Sequence, residues 1–473
     1  MKEKTFTRVL WVFTAINVLY LLATIFISEA AMGDDLEHIH ASWLVWQGQT
    51  PYTDFFEHHH PLMWYLFAPL AGLFEGKIFI FFAARFCMCL AGLVTLWIVY
   101  RLIKDFWGDK IAALLAVCLF CFSTVARDAL VQFKPDALMH LFFFGGLYFF
   151  FTFLRDDRQK QLNTAVGLWG VSFLFLQTEI FLLLPVGLCG IYLLAVKKIK
   201  FQNVLKALPW ALLPLLLLAV WLLLCGNAQR YFETNWLLNA DILNEIWSRR
   251  IHDYSDFYGF FAVGAAAAIY LLISKPDIYV RILLVMYVVE LLLRTTYISI
   301  WIYYFKILLL YNAVLVGLVV SRFYRKKEQT AWICLPFLIL LCGKFWMFES
   351  ASTGATDMNT LQVMQVATVI AQNSAPDDVV VSPSGIPMGI FNKNPHYYWF
   401  SWQYMGRLDE ARFHYAEPFD IMKIITETKP KFVYWDEWKK EKQEERLPYK
   451  IQPEIMKVLY HPVVYDTLFL RND

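Results

Sequence analysis

Apolar runs long enough to cross a hydrocarbon layer of about 30 Å recur along this chain, and they constrain its fold more than any other feature. They fall near 9–27, 78–100, 111–125, 138–154, 164–178, 180–196, 207–225, 257–274, 278–293, 304–321 and 330–347, giving eleven expected transmembrane helices. In lipid every backbone polar group must be satisfied internally, so such runs fold as helices. With 59% hydrophobic and 18% aromatic residues over 473 positions, the chain is too apolar for a water-soluble globule. The net charge of +2 supplies no global field of the kind that attracts nucleic acid, and no nucleic-acid partner is expected. The first run follows Lys2, Lys4 and Arg8, exceeds a signal-peptide core and lacks a small-residue cleavage site, so it reads as a retained helix. Nearly all eight cysteines lie in or beside apolar runs; Cys118 and Cys121 have metal-ligand spacing but no second pair, so the cysteines read as small buried hydrophobes.

Basic residues fix the expected orientation. With the N-terminus in the cytoplasm, Arg101, Lys104 and Lys110 return to that side, as do Arg155, Arg158 and Lys160. Lys197, Lys198, Lys200 and Lys206 follow, then Lys275 and Arg281, then Arg322, Arg325, Lys326 and Lys327, as the positive-inside rule requires. The opposite side receives Asp34, Asp35, Glu37, Asp54, Glu57 and Glu75. An odd helix count places residues 348–473 outside, where composition turns polar. A helix over Met358–Gln372 and β-type runs at Asp378–Ser382 and Lys431–Trp435 predict a small α/β domain. The expected architecture is thus a polytopic α-helical membrane module, 1–347, with a long first outer loop at 28–77, followed by an extracytoplasmic α/β domain, 348–473.

That loop of about fifty residues is too long for a mere connector and holds five of the ten histidines. Leu36, Ile39, Trp43, Leu44 and Trp46 suggest an amphipathic helix on the membrane surface. Asp34 and Asp35 at its start admit two readings. A partly desolvated carboxylate there suits a general base that accepts a proton from a hydroxyl or amine, whereas an acid in the first turn also caps the helix and meets its dipole. Glu57-His58-His59-His60, with Glu37, His38 or His40, offers ligands to a divalent metal. Adjacent histidines point in different directions, however, so this is no helical zinc motif; no metal or other cofactor is expected. Glu37, His38, Tyr52, Glu57, His58, His59 and His60 are read as lining a substrate pocket.

The second outer loop carries Arg127, Asp128, Lys134 and Asp136, where cations beside carboxylates either grip a lipid-linked phosphate or serve as interfacial and capping groups. Arg85, Glu179, Arg294 and Lys306 are ionisable groups inside apolar runs, costly in lipid and therefore functional candidates. Arg85, Arg127, Lys134, Arg294 and Lys306 are the candidate phosphate ligands. In the tail, Tyr397, Tyr398, Trp399, Trp402 and Tyr404 form an aromatic cluster that either packs the domain core or stacks on glycan rings.

Asp34-Asp35, Gly48 fourteen residues after Asp34, Pro51-Tyr52, Asp54, His60-Pro61-Leu62 and Trp64-Tyr65 together resemble the first outer loop of the GT-C glycosyltransferases. The similarity is to the bacterial branch related to protein O-mannosyltransferases and the lipid A aminoarabinose transferase. It covers residues 30 to 140 specifically and the hydropathy plan loosely. It implies transfer of a monosaccharide from a polyprenyl-phosphate carrier to a lipid, glycan or protein acceptor, by an inverting displacement, in the bacterial plasma membrane. Under the resemblance Asp34 takes the base position, Asp35 the neighbouring acidic place, Asp136 the second acidic position and Arg85 the basic position of the second helix. Where relatives carry His-Pro-Pro-Leu, this chain has His59-His60-Pro61-Leu62, and Gln177-Thr178-Glu179 stands where many carry a lysine. Arg127, Arg294 and Lys306 are the candidates to replace that lysine.

Two other classes compete. A transporter for a lipid-linked sugar calls for inverted symmetry and broken midplane helices, neither of which the sequence displays. A non-catalytic envelope assembly subunit predicts that changing Asp34 leaves function intact.

Overall fold

The computed structural model describes residues 2–27, 32–240, 255–296, 306–326, 360–382, 388–394, 397, 421–435, 453–465 and 467–472. The helices run α1 Lys2–Ile27, α2 Met32–Trp46, α3 Leu62–Leu73, α4 Ile80–Trp107, α5 Lys110–Cys121, α6 Thr124–Val131 and α7 Pro135–Asp156. They continue with α8 Gln159–Phe175, α9 Glu179–Ala195, α10 Phe201–Leu224, α11 Ala228–Phe232, α12 Ser255–Ile273, α13 Ile278–Thr296 and α14 Lys306–Lys326. A π-helical turn, Glu233–Leu238, extends α11. The tail supplies α15 Thr360–Asn373, β1 Val380–Val381, α16 Ile421–Glu427, β2 Phe432–Tyr434, α17 Pro453–Leu459, β3 Tyr460–Val464 and β4 Leu468–Arg471.

Each of the first ten predicted spans falls on one of these helices, and the eleventh, 330–347, lies outside the described residues. Among the described residues, α1, α4, α7, α10 and α14 contain stretches long and apolar enough to cross a membrane. The predicted surface helix is corrected in one respect: α2 is buried from Asp35 through Leu44 on every side, polar residues included. A helix α3 that the apolar runs did not single out accounts for part of this enclosure, with Trp46 set directly against Gly72.

Two compact units emerge. The first comprises Met1–Phe26, Phe86–Leu218 and Leu243–Thr353. Within it, apolar helices find different surroundings. The apolar stretch of α14 is 89% buried, whereas that of α10 is 17% buried. The reason lies in their sequences. Helix α14 carries Lys306, Asn312, Gly317 and Ser321, groups that need protein partners inside a bilayer, while Trp210, Leu212, Leu213, Leu216 and Leu217 of α10 are as stable against lipid tails. Ser321 donates to both oxygens of Asp109 at 2.8 and 2.7 Å. Asp109 also caps α5 by accepting from the Ala112 amide at 2.9 Å. Beside this junction α5 and α14 approach so closely that a Cβ on Gly317 would lie 2.8 Å from the Ala112 carbonyl oxygen.

The second unit comprises Ile27–Arg85, Ala219–Ile242 and Gly354–Asp473, so the first outer loop and the tail share one compact body. Its four-stranded sheet has the order β1-β2-β4-β3, with β1 and β2 parallel and the remaining pairs antiparallel. The predicted β-runs contain β1 and β2, and the predicted tail helix overlaps α15. Lys431 and Asp378, at the entries to the parallel pair, form an ion pair of 2.9 Å.

Substituting Gly317 by valine therefore forces two backbones apart. Thermal unfolding of the purified protein in detergent is expected to register a loss of about 1–3 kcal/mol for Gly317→Val. Gly187→Val, at a position with nothing within 4 Å of its Cβ, is expected to leave the transition in place.

Candidate functional site

Helix α2 presents its two acids to different surroundings because successive helical residues point about 100° apart. Asp35 is fully buried, and its Oδ2 accepts from Arg85 Nη2 at 2.5 Å and Nε at 2.9 Å. The guanidinium of Arg85, equally buried, also lies 4.2 Å from the centre of the Phe81 ring. Arg85 is thus engaged by a carboxylate, which neutralises a charge that would otherwise be costly to enclose. Asp34 is half-buried. Both acids lie within the first helical turn, inside the helix rather than at its cap.

One turn further, Glu37, His38 and His40 project from α2 into the interior of the second unit. His38 Nδ1 accepts from the indole of Trp64 at 3.2 Å. His40 reaches the tail: Nδ1 is 3.0 Å from the Ile390 carbonyl oxygen and Nε2 is 2.6 Å from the Asn394 side-chain amide. Burial lowers the His40 pKa to about 4, against the opposing pull of these two hydrogen bonds, so the ring is neutral. Both neighbours are oxygens, the Ile390 carbonyl and Asn394 Oδ1, and a neutral imidazole carries one proton, so the ring donates to one of them.

The second half of the loop converges on the same helix. Glu57 is fully enclosed, and burial raises its pKa well above the usual carboxylate range. His58 is buried, and burial followed by the neighbouring His59 lowers its pKa well below the ordinary value. The rings of His58 and His59 lie 4.0 Å apart between centres, and those of His38 and His59 5.0 Å apart. The expectation that adjacent histidines diverge is therefore corrected: the chain turns so that His58 and His59 gather with Glu37 and Glu57, one ligand atom of each within 4.8 Å of the others.

Tyr52 and Tyr397, which the sequence singled out for other roles, hold this turn together with Asn227, Tyr231 and Asn239, which it did not. Tyr52, with φ of +66°, donates from its hydroxyl to the His59 carbonyl, and its own carbonyl accepts from Tyr397 at 2.8 Å. Asn239 donates to the His58 carbonyl at 2.9 Å, and Asn227 to the Pro51 carbonyl at 2.9 Å. Tyr231 shares a hydrogen bond of 2.8 Å with His60 Nε2. Asn235 and Asn239, four residues apart after an apolar run, were the available signal. Of the aromatic tail cluster only Tyr397 is among the described residues, and there it supports the loop.

The remaining candidates occupy the first unit. Asp136 opens α7 directly after Pro135, and Lys306 Nζ lies 2.6 Å from its Oδ1, both side chains buried. Arg127 is buried with its guanidinium 4.3 Å from the Tyr20 ring centre, and donates to the Cys121 carbonyl at 3.3 Å. Lys134 is buried at the N-cap of α7. A cavity of about 20 Å³ borders Lys306, His140, Ala126 and Ala137, room for about one water. Glu179, in the segment that departs from the family pattern, is buried in the first turn of α9. The side chain of Arg294 lies outside the described residues.

Residues 58–224 match the family model of dolichyl-phosphate-mannose-protein mannosyltransferases. No curated protein matches the chain in sequence. Among solved structures, ArnT from Cupriavidus metallidurans bound to undecaprenyl phosphate is similar with a TM-score of 0.52 and 13% identity, covering 77% of this chain and 69% of that one. The oligosaccharyltransferase of Archaeoglobus fulgidus, in complex with Zn and sulfate, is similar with a TM-score of 0.50 and 12% identity, covering 89% of this chain and 67% of that one. The archaeal oligosaccharyltransferase AglB from Archaeoglobus fulgidus, in complex with an inhibitory peptide and a dolichol-phosphate, is similar with a TM-score of 0.50 and 12% identity, covering 90% of this chain and 69% of that one. The likenesses agree with the resemblance carried by the first loop: the chain is a multi-pass membrane protein with the GT-C glycosyltransferase fold.

Removing one member of the Asp35–Arg85 pair leaves the other charge buried alone. Asp35→Asn is expected to cost about 3–5 kcal/mol in thermal or denaturant unfolding. The double variant Asp35→Asn with Arg85→Gln, which removes both charges, is expected to recover most of that loss.

The His40 shift also predicts a pH dependence. Its folded pKa of about 4 is below the unfolded value of 6.5, so the unfolded chain takes up the proton first as pH falls. Stability present above about pH 6.5 is expected to fall by up to about 3 kcal/mol as pH drops toward 4. Unfolding followed across that range should show a shallower slope in His40→Gln, with the part due to His58 remaining.

Proposed function

We propose that this protein is a glycosyltransferase that moves a monosaccharide from a polyprenyl-phosphate carrier to a lipid, glycan or protein acceptor at the outer face of the membrane. The observation that carries this reading is the separation of the two first-loop acids. Asp35 is held by Arg85, while Asp34 is half-buried at the beginning of α2, which supports Asp34 as the carboxylate that meets an incoming acceptor. Lipid-linked phosphates in the similar structures, undecaprenyl phosphate in one and a dolichol-phosphate in another, support a donor of that class.

On this reading Asp34 accepts the proton of the acceptor hydroxyl or amine as its oxygen or nitrogen attacks the anomeric carbon. The bond from that carbon to the carrier phosphate breaks on the opposite face, so the configuration inverts and the phosphate departs with the electron pair. Cations that neutralise the departing phosphate lower the barrier. Arg127, Lys134, Arg294 and Lys306 are assigned that role, and Arg85 becomes the positioning partner of Asp35. No cofactor enters the displacement. The positive-inside pattern supports a cytoplasmic N-terminus in the bacterial plasma membrane, with α2 on the outer side.

Transfer of radiolabelled sugar from a panel of polyprenyl-phosphate donors by the purified protein in lipid tests the assignment. Asp34→Asn is expected to lower turnover by about 10²–10⁴-fold while unfolding unchanged. Unaltered turnover in that variant would refute Asp34 as the base.

A further inference from the structure

We propose that Glu37, Glu57, His58 and His59 form a divalent-cation site, suited to Zn²⁺, that ties the second half of the first outer loop to helix α2. Two carboxylates and two imidazoles are a donor set that zinc accepts, and four protein ligands make a closed site of the structural kind.

The spacing supports an ion among them. His59 Nδ1 lies 3.7 Å from Glu37 Oε1 and 3.7 Å from Glu57 Oε2. These separations exceed hydrogen-bond length. They are close to the edge of a tetrahedron with metal–ligand bonds of about 2.1 Å, which is about 3.4 Å. One ligand atom from each of the four residues falls within 4.8 Å of the rest.

A second observation comes from Glu57 itself. Its side chain is fully buried, and among the described residues its Oε1 meets no hydrogen-bond donor, while its Oε2 meets only the His58 amide at 3.4 Å. An enclosed carboxylate of this kind requires either a proton or a cation. Glu37 offers a second carboxylate oxygen beside it, and the imidazoles supply ligand nitrogens that stay neutral on a metal. His59, whose side chain is 22% exposed, forms the side through which an ion enters.

The backbone is already set for the task. Tyr52 holds the His59 carbonyl, Asn239 the His58 carbonyl and Tyr231 the His60 ring, so the ligands are positioned by bonds in which no metal takes part. The ion's role is to fix the loop on the helix that carries Asp34 and Asp35. It stands apart from sugar transfer, and it is measured on resting protein without a donor.

The test uses the full chain purified in detergent through a tag without histidines, stripped with chelator, and titrated with Zn²⁺ by calorimetry with metal analysis and thermal unfolding in parallel. Wild type is expected to bind about one Zn²⁺ per chain and to unfold at a higher temperature when loaded. Glu57→Gln, nearly isosteric, is expected to lose about 100-fold or more in affinity together with the thermal gain. His59→Gln, at the more open edge, is expected to do the same and serves if Glu57→Gln fails to fold. Absence of Zn²⁺ binding by wild type overturns the proposal and leaves a protonated Glu57 as the neutralising device. Equal binding by wild type and the folded variants overturns it too.

Discussion

The buried ion pair between Asp35 and Arg85 is the interaction on which the organisation of the first loop depends. A pair so enclosed contributes little net stability, because desolvation of two charges offsets most of their attraction. Its effect is positional. It fastens the first turn of α2 to the beginning of α4, fifty residues away in sequence, and it admits one orientation of that turn. Asp34, the residue before it, sits about 100° away around the helix and is half-buried. Two adjacent acids that look interchangeable in the sequence therefore receive different environments, and only one retains access to solvent.

The same rule, that polar groups in an apolar body must meet one another, accounts for the helices. α14 is enclosed because Lys306, Asn312 and Ser321 require partners, and Asp136 and Asp109 answer two of them. α10 carries apolar and aromatic side chains along its middle and presents them outward. In α2 the requirement reaches its extreme: Glu37, His38, His40 and Ser42 are all buried and draw in Trp64, the Ile390 carbonyl and the second half of the loop. Recruitment of the tail to this body follows from those contacts.

The sequence revealed the parts of the structure governed by local periodicity and hydropathy. Ten of the predicted spans coincide with helices, and the runs about Val380 and Val433 form the parallel strands. Arg85 was singled out as a charge in a costly place, and Asp34 and Asp35 as the acids that open the loop helix. Pairings between distant positions stayed hidden, because nothing local in α2 names Arg85 as its partner or links Lys306 to Asp136 across 170 residues. α2 was misread as a surface helix because its apolar stripe looks the same whether the polar face meets water or buried partners. The convergence of His58 and His59 depended on a turn fixed by Tyr52 in a positive-φ conformation and by Asn239, neither of which periodicity exposes. The family resemblance supplied the role of the acids and left the division of labour between them to the geometry.

The central claim is that Asp35 and Arg85 position the helix while Asp34 performs the chemistry. Sugar transfer measured beside thermal unfolding for Asp34→Asn and for the charge-free double variant Asp35→Asn with Arg85→Gln tests it most directly. The account predicts a folded, inactive single variant and a folded double variant whose turnover falls but stays well above that of Asp34→Asn. A folded double variant without activity, or an active Asp34→Asn, would contradict it.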